Sequence, residues 1–189
     1  MQKARALANK LGYCHPDQFF NPWNVEEHEN FTAQEIIRQL DGKRIDAVVA
    51  GIGSGGTIVG LGRAFRKHNP ALQIFGVEPV ECTMTYENLH NMREDRQPHR
   101  IEGIADGFVP KIVFDNIKLL TGINKIDSSE AIQEAQRIAR EHSCFVGICS
   151  GANFLAAKKV RADNSQLHTI VTVFTDEGEK YLSEKWFVS

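Results

Sequence analysis

Gly51-Ile52-Gly53-Ser54-Gly55-Gly56-Thr57-Ile58-Val59-Gly60 places four glycines in six positions and then turns apolar. Ile45 to Ala50 before it reads as a short buried strand, and Thr57 to His68 after it reads as a helix. A glycine turn therefore joins a strand to a helix N-terminus. Such a junction leaves backbone N–H groups without intrahelical partners, at the positive end of the helix dipole, and glycines let an anion approach them. The ligand chemistry to expect is a phosphate group. A tight turn that binds nothing would be served by one glycine, and this loop has four.

Two phosphate readings compete. As G-x-G-x-x-G the glycines are Gly51, Gly53 and Gly56, and Glu78 closes the next apolar run, Gln73 to Val77, which is the dinucleotide pattern of an NAD-dependent oxidoreductase. Pro79 follows Glu78 directly, so that residue equally well starts a surface loop. A P-loop is excluded, because no Lys-Ser or Lys-Thr pair follows the glycines. The second reading takes Gly53-Ser54-Gly55-Gly56-Thr57 as a cup whose amides and two hydroxyls surround one terminal phosphate monoester. The loop by itself does not choose between them.

The 189 residues are 42% hydrophobic, enough for one sizeable core. The balance of 22 basic against 24 acidic residues, without a basic run, argues against nucleic acid or a membrane surface as partner. Cys14, Cys82, Cys144 and Cys149 form no C-x-x-C pair, and no secretory leader is recognisable. Reduced thiols in a cytoplasmic protein are the expectation. The seven histidines lack metal-ligand spacing, so no metal is expected.

Gln2 to Leu11 has helical composition and stops at Gly12, and Tyr13 to Pro22 reads as extended. Thr32-x-x-Glu35 has the pattern of a capping box ahead of Ile36, Ile37 and Leu40. Ser128 or Ser129 is the expected cap of a helix to about His142, with Ile132, Ala135, Ile138 and Ala139 on its core face. A second glycine turn, Gly147 to Ala152, leads into a helix from about Asn153, and Thr169 to Phe174 reads as a central strand. Strands alternating with helices predict an α/β fold of three layers, a parallel sheet with helices on both faces and ligands at the carboxyl ends of its strands.

Six patches resemble the cysteine synthase and cystathionine β-synthase family of pyridoxal-phosphate enzymes: Gln18-Phe19 with Asn21-Pro22; Gly53 to Thr57; Val77-Glu78-Pro79; Ile101-Glu102-Gly103-Ile104; Gly147 with Ser150-Gly151-Ala152; and Gly178 to Ser183. They follow the family's order at about its spacing. The resemblance implies an incomplete tryptophan synthase β-like fold (fold type II), with residues 1–22 a remnant of the small substrate domain and 23–189 the large cofactor domain. It implies that Gly53, Ser54, Gly55, Gly56 and Thr57 hold the phosphate of pyridoxal 5′-phosphate, which demotes the dinucleotide reading. Gln18, Phe19, Gly103 and Ala105 fall on positions near the amino-acid substrate.

The family serine that meets the cofactor's pyridine nitrogen falls on Cys149, a poorer hydrogen-bond partner, with Ser150 as its neighbour and possible substitute. Thr175-Asp176-Glu177 replaces a Pro-Ser-Ser run, which brings Asp176 near the ring, and Ala33 and Ala105 replace glycines. The implied reaction is β-replacement on an activated serine, such as O-acetylserine with sulfide, in a cytoplasmic homodimer. Cystathionine β-synthase-like replacement is the alternative. That chemistry needs a lysine joined to the cofactor aldehyde as a Schiff base. None of the eleven lysines here has the family's surrounding motif, so no catalytic residue is assigned. The chain accordingly reads either as the C-terminal part of such an enzyme or as a non-catalytic phosphate-binding or dimerisation module.

Overall fold

Along the strand before the glycine loop, Ala47 and Val49 turn to one side and Val48 and Ala50 to the other, all with 1% or less of their surface exposed. A strand buried on both faces is the centre of a layered α/β structure. The computed structural model describes residues 2–188. In chain order they form α1 (Gln2–Leu11), α2 (Trp23–Glu27), a π-helical turn (His28–Thr32), α3 (Ala33–Gln39), β1 (Ala47–Gly51) and α4 (Gly56–His68). Then come β2 (Gln73–Pro79), α5 (Met84–His90), α6 (Lys111–Asp115), a 3-10 turn (Ile117–Leu119) and β3 (Gly122–Ile126). The chain closes with α7 (Ser128–His142), α8 (Ile148–Asp163), β4 (Ile170–Thr172), a second 3-10 turn (Gly178–Tyr181) and α9 (Lys185–Val188).

The four strands are all parallel, in the order β3-β2-β1-β4, with Val48 opposite Ile74 and Val49 opposite Thr172. The α/β architecture with helices on both faces is therefore as the sequence predicts. One face carries Val48, Ala50, Ile52 and Ile74 with Val25, Ala33, Ile58, Leu61 and Phe65. The other carries Ala47, Val49, Val77 and Ile126 with Ala131, Ala135, Ile138, Ala152 and Ala156. Complete burial of Phe65 contributes roughly 1.5–3 kcal/mol relative to exposure. Among the described residues no helix is long and apolar enough to cross a membrane.

Several local expectations are corrected. Thr32 is no N-cap: it lies inside one helical run from Trp23 to Gln39, with helical φ of −55° and no capping bond. Pro22 before Trp23 is the start signal that prevails, since its fixed φ suits a helix entrance. Residues 13–22 are not extended throughout: the Phe20 and Asn21 N–H groups bond back to the Asp17 carbonyl as a turn. The cap of α7 is Asp127, whose carboxylate accepts the Ser129 and Glu130 N–H groups. Helix α8 starts at Ile148 rather than Asn153, so Cys149 to Ala152 are its first turn. Strand β4 is the sheet's edge among the described strands, not its centre, and β3 was not anticipated.

Glu78 does not open a surface loop. Its carboxylate is 1% exposed and accepts the Thr85 and Tyr86 N–H groups at 2.7 and 3.0 Å, holding the entrance of α5. The Asp46 carboxylate does similar work: it accepts the His168 and Thr169 N–H groups at 2.8 and 3.0 Å and so fastens β4 beside β1.

Candidate functional site

The strand order reverses its direction of growth at β1, because β2 and β3 are added on one side and β4 on the other. The loops leaving β1 and β4 therefore open a crevice at the carboxyl ends, where parallel sheets bind ligands. A cavity of about 300 Å³ lies there, lined by Gly51, Gly53, Ser54, Gly55 and Thr57 on the β1 side. Opposite them are Glu102, Gly103, Cys149, Asn153, Asp176 and Lys180. That volume is at the small end of ligand sites.

The glycine loop is shaped by close approaches. Gly55 has φ of +89°, the left-handed region that L side chains avoid, and forms the N-cap of α4. A Cβ at Gly53 would collide with the Gly103 carbonyl, and one at Gly56 with the Asn24 side chain. The first-turn amides of this 13-residue helix have no intrahelical partners, and Gly55 and Thr57 at its entrance line the cavity, a ready anion seat.

The facing helix entrance is already satisfied. Asp176 accepts the Cys149 N–H at 3.0 Å, the Ser150 N–H at 2.8 Å, the Ser150 hydroxyl at 2.6 Å and the Tyr181 hydroxyl at 3.1 Å. Burial, reinforced by this carboxylate, pushes the Cys149 thiol and the Tyr181 phenol far above their ordinary ranges, so both stay neutral. The Cys149 thiol rests against the Glu102 carbonyl. At the cavity mouth the Lys180 ammonium meets the Glu102 carboxylate at 2.9 Å, and that bond raises the lysine's pKa. The Asn153 Oδ1 is buried without a hydrogen-bond partner, while its amide donates to the Val173 carbonyl at 3.0 Å.

The fold thus brings Gly53, Ser54, Gly55, Thr57, Gly103, Cys149 and Asp176 around one cavity. Gly56 stands just behind the loop, and Ser150 lies fully buried beneath, tied to Asp176. Three other sequence candidates are not in the lining. Gln18 is exposed and contributes its carbonyl to the Asn24 amide at 2.8 Å. Phe19 packs edge-on against Phe108, and Ala105, at φ of +56°, directs its carbonyl to Cys82. Sequence reasoning missed Asn24, Glu102, Asn153 and Lys180. Glu102 and Lys180 lie in the patches quoted above, and Asn153 follows Cys149 by four, one helical turn on the same face.

These features fit pyridoxal phosphate: a glycine-lined anion seat, a neutral donor or acceptor at Cys149 across a small cavity, and an unpaired buried acceptor on Asn153. Comparison with known proteins agrees. The chain is 35% identical over 183 residues to a cysteine synthase of Staphylococcus aureus, covering 97% of this chain and 56% of that protein. The crystal structure of a hydrogen sulfide-producing enzyme from Fusobacterium nucleatum matches with a TM-score of 0.87 at 33% identity, over 98% of this chain and 54% of the other. That of an O-acetylserine dependent cystathionine β-synthase from Helicobacter pylori matches with a TM-score of 0.86 at 33% identity, over 98% and 58%. The chain spans about half the length of the relatives it matches. Residues 1–176 match the model of the pyridoxal-phosphate dependent enzymes, and with the crevice built as described, the chain belongs to that family.

Proposed function

We propose that this chain is the C-terminal part of an enzyme of β-replacement on an activated serine, with O-acetylserine and sulfide giving cysteine and acetate. The observation that carries the reading is the glycine seat at the α4 entrance facing the neutral Cys149 across the cavity. Bound pyridoxal phosphate supplies an electron sink that labilises groups on the substrate's β-carbon. The chain's own contribution is positional. The amides and hydroxyls of residues 53–57 would hold the phosphate, and the neutral Cys149 thiol would offer the ring nitrogen an uncharged partner. The Asp176 network keeps the first turn of α8 in place, and Glu102 with Lys180 borders the entrance.

Residues 1–22 then belong to a substrate domain and 23–189 to the cofactor domain, with a homodimer in the cytoplasm as the working form and amino acids as substrates. A second reading has its own support. Among the described lysines Lys180 alone lines the cavity, and it is held by Glu102 as an ammonium. The 189 residues by themselves then bind the cofactor without turnover.

Absorbance titration with pyridoxal phosphate, followed by dialysis and borohydride reduction, tests the proposal. The expected result is saturable, dialysable binding with no labelled lysine. Cysteine formation from O-acetylserine and sulfide should appear only when the remaining half of the enzyme is supplied. Absence of binding, or displacement of the ligand by NAD, overturns it.

A further inference from the structure

Both hydroxyls of the loop have a partner behind them on one helical run. The Asn24 Nδ2 lies 2.8 Å from the Ser54 Oγ, and the His28 Nε2 lies 3.1 Å from the Thr57 Oγ1. Asn24 and His28 are four residues apart, so one helical turn puts both on the face turned towards α4. That face comes very close at Gly60, where a Cβ would stand 2.6 Å from the His28 Cβ and 2.7 Å from the Val25 carbonyl.

The direction of the first bond is fixed by a third group. The Asn24 Nδ2 also donates to the Gln18 carbonyl at 2.8 Å, and a carbonyl only accepts, so the amide cannot be turned over. The Ser54 oxygen therefore receives an N–H, with the Gly56 N–H a second donor at 3.5 Å. A hydroxyl carries one hydrogen. An oxygen that accepts from behind keeps that hydrogen for the cavity.

At Thr57 the partner is a histidine ring, whose tautomer sets the direction. Burial lowers the pKa of His28, against a smaller opposing effect of Glu27, so the ring carries one N–H at neutral pH. Its Nδ1 stands 3.1 Å from the Thr32 Oγ1 and 3.4 Å from the Glu27 carboxylate, which is more than half exposed to water. The Thr32 hydroxyl also lies 3.3 Å from the Glu27 carboxylate, and its one hydrogen serves either that carboxylate or Nδ1. When it serves Nδ1, the ring proton sits on Nε2 and points at Thr57, and that is the arrangement the proposal below takes.

We propose that Asn24 and His28 are positioning residues that set Ser54 and Thr57 as forward donors, making the loop selective for the phosphorylated form of its ligand. The inference rests on the phosphate reading of this loop and goes beyond it by assigning selectivity to two residues outside the cavity lining.

The test uses the full chain with pyridoxine 5′-phosphate and pyridoxine, which carry no aldehyde, measured by titration calorimetry. Asn24→Asp reverses the bond to Ser54, and His28→Leu removes the bond to Thr57. Each is expected to weaken pyridoxine 5′-phosphate about tenfold while leaving pyridoxine within about twofold. In a Thr57→Val background the His28 substitution should add nothing, because its route to the ligand is gone. Nitrogen-15 spectra of the unsubstituted chain with bound pyridoxine 5′-phosphate should show His28 protonated on Nε2. Protonation on Nδ1 alone, or equal losses for both ligands, overturns the inference while leaving the phosphate site standing. Failure of the unsubstituted chain to bind pyridoxine 5′-phosphate overturns both.

Discussion

Ser150 donates twice to Asp176, from its backbone N–H at 2.8 Å and its hydroxyl at 2.6 Å, so one carboxylate closes the entrance of α8. The Ser150 oxygen in turn receives the Thr175 and Asp176 N–H groups at 3.0 and 3.3 Å. Asp176→Ala leaves the Cys149 and Ser150 N–H groups and the Ser150 hydroxyl without their acceptor and should cost about 2–3 kcal/mol. Urea unfolding would show the loss, and Ser150→Ala should be milder, since the Asp176 carboxylate keeps the Cys149 and Ser150 backbone N–H groups.

Gly53→Ala drives a methyl group into the Gly103 carbonyl, backbone against backbone. Neither side yields cheaply, so about 1–3 kcal/mol of stability is the expected cost, accompanied by weaker binding of inorganic phosphate. Gly12→Ala serves as the comparison: nothing lies near its Cβ position, though its φ of +66° is left-handed. It should leave phosphate binding unchanged. Phosphorus-31 titrations of the two variants distinguish the outcomes.

Acid should act on two carboxylates with opposite signs. Burial alone would raise Asp46, but the Thr169 and His168 N–H groups and Arg44 outweigh it and hold its carboxyl below the usual range. Its stabilisation is complete above the ordinary carboxylate value of about 4 and is lost as pH falls below that. Glu78 is raised, chiefly by burial, against the N–H bonds from Tyr86 and Thr85. Its folded form prefers the proton, so stability is lost as pH rises from about 4.3 upward. Urea midpoints across pH 3–7 should flatten at the acid end in Asp46→Asn, and Glu78→Gln should remove the decline on the neutral side.

The four free cysteines divide by burial. Cys14 and Cys144 are exposed, whereas Cys82 and Cys149 are buried with their thiols pushed upward by desolvation. A disulfide reagent at pH 8 should release two equivalents quickly and two only on unfolding. Cys149→Ser, which places a hydroxyl opposite the glycine seat, should tighten pyridoxine 5′-phosphate by a few-fold, about 0.5–1 kcal/mol.

The glycine loop, β1, β2 and Ile132, Ala135 and Ile138 on the core face of α7 were legible because each is a local pattern: alternation, helical spacing, or glycines where backbone must approach backbone. Ala139, expected on the same face, is only half-buried and outside the cluster. Strand β3, Gly122–Ile126, was not, since it packs at an edge with four of its five residues only partly buried. The entrance of α8 was misplaced because Gly151 reads as a turn residue. In fact it lets α7 come close, where a Cβ would strike the Ala131 carbonyl. Asn24 and His28 left no signal as site residues, because what gives them meaning is a contact thirty residues away.

The π-helical turn at His28–Thr32 is one residue of surplus length within an otherwise regular helix. Val25 before it and Ala33, Ile36 and Leu40 after it all join the same apolar cluster. Loss of a single codon in this stretch would leave helix on both sides but swing one half by about 100° relative to the other. Either Asn24 and His28 would leave the loop, or Ala33 and Ile36 would leave the core. Length here is under tighter constraint than composition, and a one-residue deletion is a harsher change than most substitutions.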